Sequence, residues 1–259
     1  MSIRAAFFDI DGTLLSFQTH RLSPGTVQAL QQLRRQGIHT FISSGRPMIL
    51  IPPMPVQFDG YVTMNGGYCF MGDHVLLRNP IPQDETDRWL QYAREKDICT
   101  MIFTEHEMFI NTLDDPVGIA LRDQLEFEMP PLLDIDKMMG RETFQIIAIM
   151  PASRDAEVLS MLPHCRLPRW HPSFSDLVAD GNSKASGIQS ILHHLGLRRD
   201  ECIAFGDGAN DIEMLQYCGI GVAMGNAAPE VCDQADYVTT SVDEEGIEHA
   251  LKHLGIIPS

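Results

Sequence analysis

Ile3-Arg4-Ala5-Ala6-Phe7-Phe8-Asp9-Ile10-Asp11-Gly12-Thr13 is the stretch from which the fold is read. Residues 3–8 form an apolar, aromatic-rich run that an acid closes, the pattern of a fully buried strand ending at Asp9. In extended backbone, residues two apart face the same side, so Asp9 and Asp11 can address one point. Aspartates after a strand are also common turn residues, and the pair by itself does not decide between a turn and a site.

Working outward, Ser23-Pro24 reads as a helix start, with Ser23 as the cap and Pro24 in the first helical position. Val27, Leu30, Leu33 and Arg34 follow at helical spacing, and Gly37 marks the end. Residues 39–43 are the next strand, stopping at Ser44-Gly45-Arg46; strand, helix and strand in this order imply a right-handed parallel unit. Four prolines between positions 47 and 55 argue against a long helix there. A third strand at 61–64 ends at Asn65-Gly66-Gly67, and runs at 68–70 and 75–77 form a hairpin across Gly72-Asp73.

The middle of the chain changes character. A helix at 84–96 carries Trp89, Tyr92 and Ala93 on one side. Short strands are expected at 100–103, 108–110 and 144–150, a helix near 154–162, and further strands around 165–169 and 176–179. This mixture reads as an α+β insert. From Ser183 the alternation returns, with helices at 184–195, 211–217 and 244–254 and strands at 202–205, 221–223 and 237–239. The expected fold class is α/β, a parallel core (1–81 plus 182–259) interrupted by a smaller domain at 82–181.

Composition narrows the classes. The six cysteines (69, 99, 165, 202, 218 and 232) form no CxxC pair, which points to free thiols and a cytoplasmic protein. No stretch of membrane-spanning length is apolar, and the first residues make a poor signal peptide. A net charge of −16 argues against nucleic acid. It would also repel an anionic substrate, so phosphate would need local cations, and a bound metal is expected.

Four features fall at carboxyl ends of strands or at a helix start, where open parallel sheets place ligands. The first is the Asp9, Asp11 pair. The second is Ser44-Gly45-Arg46, a hydroxyl, a flexible backbone N–H and a guanidinium that could cradle an oxyanion, though a helix cap is the plainer reading. The third is Lys184, slightly unfavourable at a helix start unless it faces acids or an anion. The fourth is Gly206-Asp207-Gly208-Ala209-Asn210-Asp211, two acids four apart that suit a hard cation.

In this order the features resemble the motifs of the haloacid-dehalogenase-like phosphatases, and within them the Cof-type (subfamily IIB) sugar phosphatases. Asp9-Ile10-Asp11-Gly12-Thr13 matches the first motif, Ser44-Gly45-Arg46 the second, and Lys184 the third. The run from Gly206 to Leu215 matches the fourth nearly letter for letter, and Asn65-Gly66-Gly67 is similar to a substrate-side turn. The resemblance implies a Rossmann-like three-layer core with an inserted C2-type cap, hinged near Pro82 and Gly181, that acts as a lid. It implies Asp9 as nucleophile, Asp11 as general acid/base, and Mg²⁺ held by Asp9, the Asp11 carbonyl and Asp207, with Asp211 in support. Ser44, Gly45, Arg46, Asn65, Gly66 and Asn210 would bind phosphate or substrate, with Lys184 holding the transferring oxygens. The aspartate at position 11 favours phosphatase or phosphomutase chemistry over dehalogenation. The expected enzyme hydrolyses small phosphorylated metabolites, as a monomer or weak homodimer without nucleic acid or membrane partners. The alternatives are a phosphomutase and a catalytically silent metabolite-binding protein. His249 and His253, four apart on a helix, read as a solvated face, and Trp89 and Trp170 as packing before sugar stacking.

Overall fold

The computed structural model describes residues 2–125, 127–169 and 171–258, so Trp170 lies outside the described residues. The chain begins with β1 (Ala5–Phe8), α1 (Pro24–Arg35), β2 (His39–Ser43), β3 (Gly60–Thr63), β4 (Tyr68–Met71) and β5 (His74–Arg78). There follow α2 (Gln83–Glu95), β6 (Thr100–Phe103), β7 (Met108–Ile110), α3 (Pro116–Leu125), α4 (Ile135–Met138), β8 (Gln145–Ala148), α5 (Asp155–Met161), β9 (Cys165–Arg166) and β10 (Ser175–Ala179). The last stretch is α6 (Lys184–Leu195), β11 (Cys202–Gly206), α7 (Ile212–Tyr217), β12 (Ile220–Ala223), α8 (Pro229–Cys232), β13 (Tyr237–Val238) and α9 (Gly246–His253). By internal contacts the chain divides into two units. One is Met1–Gly45, Pro52–Leu77 and Ser183–Ser259; the other is Arg46–Ile51 and Arg78–Asn182.

The first unit is an α/β core built on a sheet ordered β13-β12-β11-β1-β2-β3-β4-β5. From β13 to β3 every neighbouring pair is parallel, and β4 turns back antiparallel on β3. The order reverses at β1, which lies between β2 and β11, so successive crossovers leave it in opposite directions. Such a switch point opens a crevice beyond the strand ends, and Asp9 is the first residue past β1. All four residues of β1 are buried, as expected for a strand covered on both faces. Phe7 and Phe41 stack at 4.9 Å between ring centroids on one face, in a cluster with Ile188, Ile191 and Leu192 of α6. α1 packs on β2 and against α9. Ser23 caps α1 by accepting from Thr26 N at 3.2 Å, with Pro24 in the first turn, as the sequence implies.

The second unit is α+β. Its sheet runs β7-β6-β8-β10-β9, antiparallel throughout, and α2, α4 and α5 bury Trp89, Leu90, Met138 and Val158 against it. Trp89 is a core residue whose Nε1 donates to Thr100 Oγ1 at 3.0 Å. Two helices here, α3 and α4, lie in a region where the sequence reading assigns no element; α3 starts at a proline and carries a glycine, and α4 has a single turn. The proline-rich run holds only a 3₁₀ turn at Met48–Leu50, because proline removes the donors that a longer helix requires. Of the histidine pair, His249 meets Thr240 Oγ1 at 2.9 Å and His253 stacks on Tyr237 at 4.7 Å.

Candidate active site

Asp9 and Asp207 are delivered by the ends of the parallel strands β1 and β11, and Asp211 by the 3₁₀ turn Ala209–Asp211 that follows β11. Asp9 continues the pairing of β1 by donating its N–H to Phe205 O at 3.0 Å. The chain then turns tightly: Leu14 and Leu15 both donate to Ile10 O, and Gly12 donates to Leu15 O at 2.8 Å. Gly12 has φ +80, and a Cβ there would stand 2.2 Å from Asp207 Oδ2, so only glycine lets the two loops approach this closely. Asp207 follows β11, and the Asp211 carboxylate folds back to accept from Asp207 N (3.0 Å) and Gly208 N (2.9 Å), which fixes the loop.

Lys184 opens α6, whose start is set by reciprocal bonds between Ser183 and Ser186. Its ammonium is buried and donates to Asp9 Oδ1 and Asp211 Oδ1, both at 2.5 Å. This resolves the conflict of a lysine at a helix N-terminus: two carboxylates face it. Burial works against the Lys184 charge, but Asp211 and Asp9 outweigh it and hold the group above its ordinary value. Asp9 is pushed well above the ordinary 3.8, by burial first; Lys184 opposes that rise, and the charges of Asp211, Asp207 and Asp11 add to it. Asp207 rises to about 7, through burial and then Asp211, against the hydrogen bond from Thr13.

Among the described residues, Asp9, Asp207 and Asp211 bring one carboxylate oxygen each within 4.8 Å of one another. Three acids around one lysine leave excess negative charge in a buried place, and hard oxygen donors suit a small divalent cation. The residues therefore fit a metal. Asp11 stands half-exposed beside them, and its charge bears on both Asp9 and Asp207.

The other predicted residues divide. Ser44 N donates to Val62 O at 2.8 Å, Asn65 N to Ser44 O at 3.2 Å, and Asn210 Nδ2 to Asn65 Oδ1 at 3.1 Å. A Cβ on Gly45 would lie 3.2 Å from the Asn65 amide, and Gly66 (φ +87) would bring one to 2.0 Å from Ser183 O. Ser44, Gly45, Asn65, Gly66 and Asn210 are thus joined in the first unit. Arg46 groups with the second unit, where its Nη1 donates to Leu50 O at 2.8 Å.

Two residues were missed. Thr13 Oγ1 donates to Asp207 Oδ1 at 2.8 Å, and Asn226 Nδ2 reaches Gly12 O at 2.9 Å and Asp207 Oδ2 at 3.2 Å. Thr13 stood inside the opening stretch without a role. Asn226 follows β12, at the carboxyl end of a parallel strand, where open sheets place ligands.

Residues 6–251 match the family model of the haloacid dehalogenase-like hydrolases. YkrA of Bacillus subtilis, named as a candidate phosphatase, is 34% identical over 99% of this chain and 100% of its own length. The solved structure of BT4131, a subclass IIB sugar phosphatase of the HAD superfamily, is 38% identical with a TM-score of 0.91, covering 98% of this chain and 100% of that one. Another, described for a trigonal-bipyramidal intermediate conserved in a phosphoryl-transfer superfamily, is also 38% identical, with a TM-score of 0.94 and the same coverage. With a buried lysine between the acids of strand ends at the switch point, and relatives matched along nearly the whole chain, the protein belongs to the haloacid dehalogenase-like hydrolases, among the phosphatases of that superfamily.

Proposed function

We propose that this phosphatase hydrolyses small phosphorylated metabolites, sugar phosphates foremost, with Mg²⁺ and through an aspartyl-phosphate on Asp9. The observation that carries the reading is the buried Lys184 ammonium held between Asp9 and Asp211 at the end of β1. A carboxylate can act as a nucleophile only when ionised and pointed, and this ammonium favours both for Asp9.

In the first step an Asp9 oxygen attacks phosphorus and the bond to the leaving oxygen breaks. Asp11, half-exposed next to Asp9, gives its proton to that oxygen. In the second step Asp11 takes a proton from water, the water oxygen attacks phosphorus, and Asp9 leaves as a free carboxylate. Lys184, Ser44 and Asn210 hold the transferring oxygens, with Asn65 fixing Asn210. Asp9 and Asp207, with the Asp11 carbonyl and Asp211 nearby, would hold Mg²⁺, which supplies charge neutralisation between an anionic nucleophile and an anionic substrate. Thr13 and Asn226 orient Asp207 for that task. Residues 1–81 with 182–259 serve as the catalytic core and 82–181 as the cap. The buried free thiols fit a reducing compartment, and the enzyme is assigned to the cytoplasm.

The test is phosphate release from a panel of sugar phosphates and other phosphomonoesters in the presence of Mg²⁺. Wild-type protein should turn over some of the panel, and Asp9→Asn should lose more than about a thousandfold in kcat. Retained turnover in that variant would remove the aspartyl-phosphate route. Silence of the wild type across the panel would favour a metabolite-binding role.

A further inference from the structure

Ser43 ends β2, is fully buried, and its Oγ has no hydrogen-bond partner among the described residues. A buried hydroxyl left unpaired destabilises the fold, so its place calls for a reason. That place follows from the sheet. β1 and β2 pair in parallel with Phe8 beside Ile42, so the next rung sets Asp9 beside Ser43. Phe7 and Phe41 stack on one face, and two residues further along each strand Asp9 and Ser43 return to that face. It is the face that α6 covers, the helix whose first residue, Lys184, donates to Asp9. Ser43 is also paired with Val62, and Val62 packs so closely on Gly187, one turn into α6, that a Cβ there would stand 2.4 Å from Val62 Cγ1. The hydroxyl therefore lies under the first turn of α6, beside the nucleophile.

We propose that Ser43 is a positioning residue for Lys184, acting when Asp9 is phosphorylated. An ammonium has three donors, and the contacts of Lys184 are with two carboxylates. When the Asp9 oxygen bonds to phosphorus and the leaving group departs with the proton of Asp11, the Asp9 carboxylate becomes a mixed anhydride. Lys184 then loses one of its two anionic acceptors while it must stay aimed at the phosphoryl oxygens. A serine hydroxyl rotates freely and offers two lone pairs, so Ser43 Oγ accepts the freed N–H and keeps the ammonium in place. Serine suits this better than a carboxylate, which would compete with Asp9 for the lysine before the reaction.

This inference rests on the phosphatase mechanism above, and the experiment separates the two. Wild type, Ser43→Ala and Ser43→Cys are assayed with para-nitrophenyl phosphate and Mg²⁺, with Asp9→Asn as the control, and each is melted. Both serine variants should lose about tenfold in kcat, the worth of one hydrogen bond to a charged group, with KM within about twofold. The Tm of Ser43→Ala should not fall, because the variant removes an unpaired buried group. Cysteine nearly preserves the volume and loses the strong acceptor, so a packing role would leave Ser43→Cys near wild type. Wild-type kcat in either variant overturns the inference, as does a loss of kcat that tracks a loss of Tm. An Asp9→Asn protein as active as wild type would instead overturn the mechanism beneath it.

Discussion

Asp207 has an ordinary carboxyl value of 3.8, and burial with the charge of Asp211 carries it to about 7 in the folded chain. Between those two pH values the folded protein holds a proton that the unfolded chain has lost. Without metal, the Asp207 contribution therefore makes stability fall as pH rises from about 4 to about 7. A cation needs the carboxylate, so its binding releases the proton and tightens over the same range. The thermal shift produced by Mg²⁺ should thus be larger at about pH 8 than at about pH 5.5. Asp207→Asn should flatten the difference, and equal shifts in the wild type at both pH values would contradict the assignment. At this scale the sequence was informative about identity and poor about pairing. Asp9, Asp11, Lys184 and Asp207 are legible because they recur together at strand ends and a helix start, although each aspartate alone reads equally well as a turn residue. Asn226 and Ser43 were not, since an asparagine in a Gly-Asn-Ala loop and a serine at a strand end have ordinary explanations until the neighbouring strand is known.

At the scale of elements, the start of α6 is what aims Lys184, and it is pinned by the turn after β3. Gly66 adopts φ +87 with its Cα against Ser183 O, where a Cβ would stand 2.0 Å away. Because that neighbour is backbone, no side chain can swing aside. Gly66→Ala should therefore destabilise the protein by more than about 2 kcal/mol, from strain at positive φ and from displacement of α6. It should also lower kcat beyond what the unfolded fraction explains, through the misplaced ammonium. Urea melts and kinetics on the folded fraction check both. By comparison Gly37, at φ +74 with nothing within 4 Å of a Cβ, should show the conformational cost alone. Strands and the longer helices were legible here, because buried runs such as Ala5–Phe8 and caps such as Ser23 are local signals. The short α3 and α4 were not: a stretch of four to ten residues gives little periodicity to detect.

For the whole molecule, a net charge of −16 opposes the approach of a phosphate dianion, while the attraction of Lys184, and of the Mg²⁺ proposed above, is local to the site. Salt screens the long-range repulsion over about 10 Å at 0.1 M and reaches the buried pair far less. With Mg²⁺ saturating, kcat/KM for a dianionic phosphomonoester should rise about twofold or more between low and moderate KCl. A fall for the dianion would mean that local positive charge dominates the approach. The residue order by itself determined the α/β class, the interruption by an α+β unit and the residue types gathered in the candidate site, since these depend on local patterns of burial, capping and charge. Tertiary structure alone decided which oxygens meet. Lys184 is 175 positions from Asp9 and 27 from Asp211, and only the crossing of β1, β11 and α6 at the switch point brings the three together. The opening pair of aspartates was separated in the same way, Asp9 buried against the lysine and Asp11 half-exposed beside it, because burial is a property of what packs around a residue and no spacing encodes it.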